Sequence, residues 1–421
     1  MVADTRRTVA TAAELNWRSA WPGFCATLIS LGLGRFAYTA LIPFLIAAEI
    51  VSAVEAAYAG AANLGGYLIG ALAAPAIGRR VGSDAAIRIA FVGSVASLVA
   101  CAMPFGYAWL MAWRLVIGVT GAMLMILAPS LVVGLTAPAE RGRAGGLVYT
   151  GVGFGTLLAS AIIVPIAATV TLTAAWTALA FVGAAATAVT WRRWRQLSSM
   201  RSVAAVTAKL PATTAASTSA RLRLSAAVAG LPLAALLTIA ATGMDGAGFV
   251  PHTIFWVDYV ARALGMGAAA GALNWALFGL GALAGPLLAG ALGDRIGIAH
   301  AAVLAFGCKA VAVLLPVLTS APAALALSSI VVGALSPGIM SLVGSRLSEL
   351  IAPAQLARAW SFATVSFALG QAAGAYGMSF ALAHTGAYLP LYVAGAVCEM
   401  FGMVLCLAAI AASPRRRMAM G

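Results

Sequence analysis

Ala62-Asn-Leu-Gly-Gly-Tyr-Leu-Ile-Gly-Ala-Leu72 has a second copy in Leu277-Phe-Gly-Leu-Gly-Ala-Leu-Ala-Gly-Pro-Leu287. A single offset, the one that sets Gly82 on Gly297, aligns Gly66, Leu68, Gly70 and Leu72 with Gly281, Leu283, Gly285 and Leu287. The same offset carries Gly78 and Arg80 onto Gly293 and Arg295, and Gly118 onto Gly333. Further along it sets Ala137-Pro138-Ala139 on Ala352-Pro353-Ala354, Arg143 on Arg358, and Gly155 on Gly370. An offset that holds over so many segments marks a duplication, so the chain reads as two related halves.

The medium in which these halves fold follows from composition. Hydrophobic residues make up 63% of the 421 and charged residues 9%, with a mean hydropathy of +1.01; no water-soluble fold has enough polar surface to cover such a core. Apolar runs of roughly 20 residues, the length that crosses a bilayer, recur along the chain. The expected spans are Trp17–Ala47, Val54–Ile77, Asp84–Met103, Trp109–Leu135, Ala144–Ala168, Thr171–Thr190, Ser225–Val260, Gly267–Leu292, Ile298–Leu318, Ala321–Leu350, Pro353–Leu382 and Ala387–Ala411. A membrane barrel would instead show alternating segments of about 10 residues. The first span is too long for a cleaved signal and has no A-x-A site.

The expected architecture is therefore an all-α integral membrane protein of 12 transmembrane helices in two parallel, pseudo-symmetric six-helix halves. Residues 1–190 form the first half, 191–224 a basic linker rich in Ala, Thr and Ser, and 225–421 the second half. Parallel halves with a site at their interface are a known transporter plan, in which one half rocks on the other.

A net charge of +14 would suggest nucleic acid, but the placement of the basic residues excludes it. All Lys and Arg except Arg35, Arg114, Arg262 and Lys309 fall at the N-terminus, the C-terminus or in every second loop. The positive-inside rule then makes both termini cytoplasmic, with a bacterial inner membrane as host. Cys25, Cys101, Cys308, Cys398 and Cys406 all lie in apolar spans, read as packing thiols. The chain shows neither metal spacing nor a cofactor motif, and no nucleotide-binding G-x-x-x-x-G-K-[ST].

Gly290-Ala-Leu-Gly-Asp294-Arg295-Ile-Gly297 resembles the loop signature G-x-x-x-D-R-x-G of the major facilitator superfamily. The first-half counterpart, Pro75 to Gly82, keeps Gly78, Arg80 and Gly82 but has Arg79 where the acid belongs. Arg114-Leu-Val-Ile-Gly118-Val-Thr-Gly121 is similar to the superfamily's R-x-x-x-G-x-x-G. Gly34-Arg35-Phe-Ala-Tyr-Thr39 and Pro251-His-Thr253, with Trp256, Asp258 and Tyr259, resemble the bacterial YbfB/YjiJ-type branch. The resemblance implies a monomeric carrier whose first and seventh helices line a central cavity. It further implies that Asp294 and Arg295, with Arg79 and Arg80, form cytoplasmic gating contacts.

Ionisable groups in hydrocarbon each need a partner, a wet cavity or a purpose. Arg35 shares a helix face with Tyr38 and Thr39, and its guanidinium suits a carboxylate or phosphate, or else pairs with a neighbouring helix. Arg114 is expected in proton coupling or substrate binding, the plain alternative being an arginine that snorkels to the surface. Asp245 and His252, two turns apart on one face, are expected to carry the coupling proton and to assist it or contact substrate; the alternatives are an Asp245 paired with Arg35 and a His252 that only hydrogen-bonds a neighbour. Lys309 and Glu399, at equal depth, are expected to form a structural ion pair. Uncharged candidates are Tyr38, Asn63, Tyr149, Thr150, Asn274, Trp275, Trp360, Gln371 and Tyr376.

The functional expectation is a secondary active transporter that carries a small organic anion with protons across the lipid bilayer. Proton-driven efflux of amphipathic drugs or metabolites is the alternative within transport, and a transporter-shaped membrane sensor the alternative outside it. An enzyme is not expected, because His252, His300 and His384 lie on distant segments with no nucleophile–base pair.

Overall fold

A computed structural model describes residues 16–207 and 230–413, and among these every long element is helical. In chain order the helices are α1 Trp17–Ala47, α2 Ala53–Val81, α3 Ser83–Cys101, α4 Tyr107–Leu135, α5 Arg141–Thr169 and α6 Leu172–Thr207. They continue as α7 Leu233–Ala263, α8 Gly267–Ile296, α9 Ile298–Leu318, α10 Pro322–Leu350, α11 Pro353–Thr385 and α12 Leu389–Ala411. All but α11 are long and apolar enough by composition to cross a membrane. Most expected span ends fall within a few residues of these bounds.

Local chemistry explains where several helices begin. Ser52 caps α2 by accepting from the Glu55 amide at 3.2 Å, while the Glu55 carboxylate accepts from the Ser52 amide at 2.8 Å, a reciprocal capping box. Proline opens α10 and α11, where its missing N–H is no loss. The reversals between α2 and α3 and between α8 and α9 turn on Gly82 (φ 89°) and Gly297 (φ 85°), a left-handed region that disfavours side chains. These are the two glycines on which the sequence offset was set.

The helix crossings repeat likewise. A Cβ on Gly66 or Gly70 would lie 2.2 or 2.3 Å from the carbonyl oxygens of Leu115 and Val119, so α2 and α4 touch backbone to backbone. Across the duplication Gly281 and Gly285 of α8 meet the carbonyl oxygens of Ile330 and Ala334 on α10, at 2.2 and 1.9 Å. The halves α1–α6 and α7–α12 join mainly along α2 with α11 and α5 with α8, where Gly153 receives Leu283 and Gly279 receives Thr156.

One expectation about the linker is corrected. Helix α6 does not stop at Thr190 but runs on to Thr207, because Trp191, Trp194 and Leu197 recur at helical spacing and cover α3. Trp194 is fully buried against Phe91, ring centroids 5.8 Å apart, and Arg88 lies over the Trp191 ring at 5.1 Å. The rest of the expected linker, Ser225 of the expected seventh span, and the charges at Arg6, Arg7 and Arg415 to Arg417 lie outside the described residues. The remaining loop arginines, Arg79, Arg80, Arg141, Arg143, Arg295, Arg346 and Arg358, gather at one end of the bundle, called here the basic end.

Candidate functional site

Helix α1 is π-helical from Leu28 to Phe36, a winding that tends to mark functional positions. Gly32 lets it press on Gly155 of α5, and Gly34 lets it accept Ile117 of α4, which draws α1 into the centre of the bundle. Arg35, at the end of this segment, is 5% exposed. Its Nε donates to Asn63 Oδ1 at 3.4 Å and its Nη1 to Gln371 Oε1 at 3.3 Å, both long, and the guanidinium lies 4.5 Å from the Tyr67 ring centre. Arg114, 1% exposed, donates from Nη1 to the Gly34 carbonyl at 2.6 Å and sits 4.0 Å over the Tyr38 ring. It is embedded rather than snorkelling. Asn63 ties the two together, its Nδ2 donating to the Arg114 carbonyl at 3.3 Å.

What these arginines lack is an anion. Among the described residues the ion pairs are Arg262 with Asp258, Lys309 with Asp245 and Glu399, and Arg346 with Glu349. Arg35 and Arg114 bond only to carbonyls, amides and rings, and the N–H groups of Arg35 Nη2, Arg114 Nε and Gln371 Nε2 are buried with no acceptor opposite. With Tyr38, Thr39, Gly60, Leu64, Thr253 and Ile254 the two arginines enclose a gap of about 10 Å³, the space of a water molecule.

The gap is sealed on the side away from the basic end. Tyr38 donates to the Ala56 carbonyl at 2.8 Å, and Thr39 donates to the Thr253 carbonyl, joining α1 to α7. Trp275, fully buried on α8, donates its indole N–H to the Phe36 carbonyl at 2.9 Å. Beyond them Tyr58 and Tyr376 approach with ring centroids 6.4 Å apart. Towards the basic end, by contrast, Tyr149 of α5 and Trp360 of α11 are exposed. Arg79, Arg80, Asp294 and Arg295 are exposed too, and form no ion pair among the described residues. The expected gating contacts are therefore unmade in this conformation, in which the halves are fastened at the opposite end.

The second half holds its own polar groups. Lys309 Nζ donates to Asp245 Oδ1 at 2.5 Å and lies 3.3 Å from Glu399 Oε1, all three side chains without exposed surface. Asp245 thus pairs with Lys309 and not with Arg35, because it lies on the face of α7 that meets α9 and α12. His252 shares that face and is not beside the arginines: its Nε2 bonds to Ser328 Oγ at 2.8 Å and its ring stacks on Trp256 at 4.4 Å. Asn274 is also occupied within its own half, donating to the Ala270 carbonyl at 3.0 Å and accepting from Ser329 at 3.0 Å. Thus Arg35, Arg114, Tyr38, Thr39 and Gln371 come together, Trp275 borders them, Tyr149 stands open nearer the basic end, and Asp245, His252 and Asn274 lie elsewhere. Sequence reasoning missed Tyr67, although its position one helical turn after Asn63 signals a shared face.

Comparison with solved structures finds a D-xylose–proton symporter at a TM-score of 0.70, with 16% identity over 94% of this chain and 97% of that one. A peptide transporter POT in complex with alafosfalin is similar at a TM-score of 0.66, with 18% identity over 93% of this chain and 95% of that one. At such identities the likeness concerns the fold. No curated protein sequence matches the chain. The protein family described as "Uncharacterised MFS-type transporter YbfB" matches residues 27–407, nearly the whole of both halves. The chain belongs to this YbfB-type family of major facilitator superfamily transporters.

Proposed function

We propose that the protein is a proton-coupled carrier of a small organic anion, held at the centre by Arg35 and Arg114. The observation that carries this reading is the pair of buried guanidiniums with no carboxylate beside them. Each arginine in hydrocarbon costs roughly 2.5–3.5 kcal/mol even on lenient insertion scales, and two like charges at close quarters add to that cost. A carboxylate arriving between them offsets both terms and occupies the free Nη2 of Arg35 and Nε of Arg114. Tyr67 and Tyr38, whose rings already face the two guanidiniums, fix their planes for such a ligand.

The distribution of arginines supports a cytoplasmic basic end, and with it cytoplasmic termini, in a bacterial inner membrane. The conformation described above is then closed to the outside, with Tyr149 on the entry route from the cytoplasm. Alternating access exchanges the fastening at Thr39–Thr253 and Trp275–Phe36 for contacts among Arg79, Arg80, Asp294 and Arg295. Asp245 supplies the coupling proton from the second half.

A thermal-shift screen of the purified protein against carboxylates, sugars and lipophilic cations, run beside Arg35→Gln, tests the substrate class. Stabilisation by a carboxylate that is lost in Arg35→Gln is the expected result. Stabilisation by lipophilic cations alone, equal in both proteins, would overturn the anion reading in favour of efflux of amphipathic compounds.

A further inference from the structure

On the face of α7 turned away from Arg35, three ionic side chains are shut in together. Asp245, Lys309 and Glu399 come from α7, α9 and α12, and each has 0% exposure. Lys309 bridges them at 2.5 and 3.3 Å, and the two carboxyls are themselves within interaction range. Fully ionised, the trio carries one uncompensated negative charge, which a buried site does not tolerate without severe cost. Asp245 Oδ2 and Glu399 Oε2 have no donor near them, and Glu399 Oε1 has only the Lys309 ammonium at 3.3 Å, so the cluster offers acceptor atoms that are left open. One proton removes the excess charge and supplies the missing donor.

The cluster is also connected. The Lys309 ammonium lies 4.9 Å from the Phe249 ring centre, and Phe249 stacks on Phe367 of α11 at 5.7 Å. Gln371 follows Phe367 by one turn on the same face and accepts from Arg35 Nη1 at 3.3 Å. No side-chain layer cushions this seam: a Cβ on Gly246 would fall 2.2 Å from the Phe367 carbonyl oxygen, and one on Gly370 1.9 Å from that of Gly243.

We propose that Asp245 and Glu399 share a single proton beside Lys309, and that this site addresses Arg35 through Phe249, Phe367 and Gln371. Only the last clause rests on the reading of Arg35 as the substrate's ligand. Proton uptake forms one O–H bond on a carboxylate oxygen, and release returns the proton to water. Without the proton, Lys309 is drawn between two carboxylates and off the Phe249 face; with it, one attraction is relieved. Because α7 and α11 touch through their backbones, that change is passed to the amide that holds Arg35.

The other ionisable groups near the cluster are few. His252 stands two turns further along α7, bonded to Ser328, and Cys398 and Cys406 are on α12. Helix α9 brings Lys309 and, beside it in sequence but exposed, Cys308 to this depth, and α12 adds the buried Tyr392, whose ring meets that of His252. The charges of α10 and α11, Arg346, Glu349 and Arg358, sit near the basic end.

Infrared difference spectroscopy of the full-length protein in phosphatidylethanolamine–phosphatidylglycerol vesicles, stepped between acidic and alkaline buffer, tests the proposal without any ligand. The wild type should show a carboxylic-acid C=O band that shifts in D2O. Asp245→Asn and Glu399→Gln, each of which leaves a balanced ion pair with Lys309, should both lack it, and His252→Gln should keep it. Absence of the band in the wild type overturns the shared proton, as does its survival in whichever of the two amide variants folds. Arg35→Gln should move the midpoint of the band by about one pH unit, a tenfold change in proton affinity, and the same substitution should move it far less in Phe367→Leu. Equal displacement in both backgrounds overturns the connection while leaving the proton site intact. Failure of every carboxylate in the thermal-shift screen, with the band present, would remove the anion reading alone.

Discussion

The indole N–H of Trp275 reaches across from the second half to the carbonyl of Phe36, 2.9 Å away and next in sequence to Arg35. The bond ties the fastening of the two halves to the residue that faces the central gap. Trp275 is held for this task by Phe278, which stacks on it at 4.6 Å, and by the edge of Phe36 at 5.5 Å. Trp275→Phe keeps an aromatic ring against Phe278 and Phe36 but, along with part of the indole volume, deletes the donor. Its loss should cost this conformation about 1 kcal/mol, which is roughly a fivefold shift in the ratio of the two states. Double electron–electron resonance between spin labels at the outer ends of α2 and α11 would read it as a larger fraction of long distances, and an unchanged distribution would count against Trp275 as a fastener.

Arg114→Lys separates charge from geometry. Lysine keeps the positive charge but cannot hold the Gly34 carbonyl while stacking on Tyr38 and presenting a free Nε. On the anion reading proposed above, the KM for a carboxylate should rise by about tenfold, the equivalent of one charge-assisted hydrogen bond, with the amount of folded protein unchanged. Uptake into proteoliposomes over a range of substrate concentrations measures it.

Lys309→Met leaves two buried carboxyls without their cation. Breaking a buried pair in this way costs about 3–5 kcal/mol, so the yield of monodisperse protein should collapse. Adding Asp245→Asn removes one of the two acids and should restore part of the yield. Size-exclusion profiles of the single and double variants decide it, and equal yields of wild type and Lys309→Met would show the cation to be dispensable.

Gly285→Val places side-chain atoms where α8 meets the Ala334 carbonyl, and should unfold the second half or lower its melting temperature sharply. Gly290→Ala, five residues on with open space around its Cα, should be silent. Fluorescence-detected melting of the pair distinguishes a backbone contact from ordinary helix packing.

Tyr149→Cys, in a background with the five native cysteines replaced, should react quickly with a membrane-impermeant thiol reagent applied from the basic end of the bundle. Ile254→Cys, beside Gly60 behind the seal, should react slowly from either side. Inside-out and right-side-out vesicles supply the two directions of approach, and fast labelling of Ile254→Cys from outside would contradict the closure described here.

Much of this was legible because bilayers restrict what a chain can do. Length, apolar runs and one repeated offset were enough for twelve helices in two halves, since each span must satisfy its own backbone hydrogen bonds. The duplicated glycines Gly66, Gly70, Gly281 and Gly285, which set the offset in the sequence, are close backbone contacts in the fold, because only glycine permits such crossings. Arg35, Tyr38 and Thr39 were legible as a face by their spacing. The partner of Asp245 was not: spacing gives the face of α7, but which neighbouring helix that face meets depends on packing order, and it meets α9 and α12. His252 followed Asp245 away from the centre for the same reason. Tyr67 was overlooked as a cation partner, despite sharing a face with Asn63, since a tyrosine in an apolar helix looks like any other packing aromatic. The end of α6 was misplaced because polar residues beyond Thr190 read as linker, while Trp194 and Leu197 among them were already committed to the surface of α3.

The charge count at the core of the protein also sets its response to voltage. With the trio unprotonated, the two arginines in one half and the trio in the other leave the empty carrier with one net positive charge inside the membrane. A monocarboxylate and one proton together bring no further charge, so the loaded and empty forms cross the field alike. For such a cargo the cycle is electroneutral: an imposed potassium diffusion potential would leave the rate unchanged, and the proton and substrate gradients together would set the direction. A dicarboxylate with the same single proton would carry one negative charge per turn, and the membrane potential would then act on it.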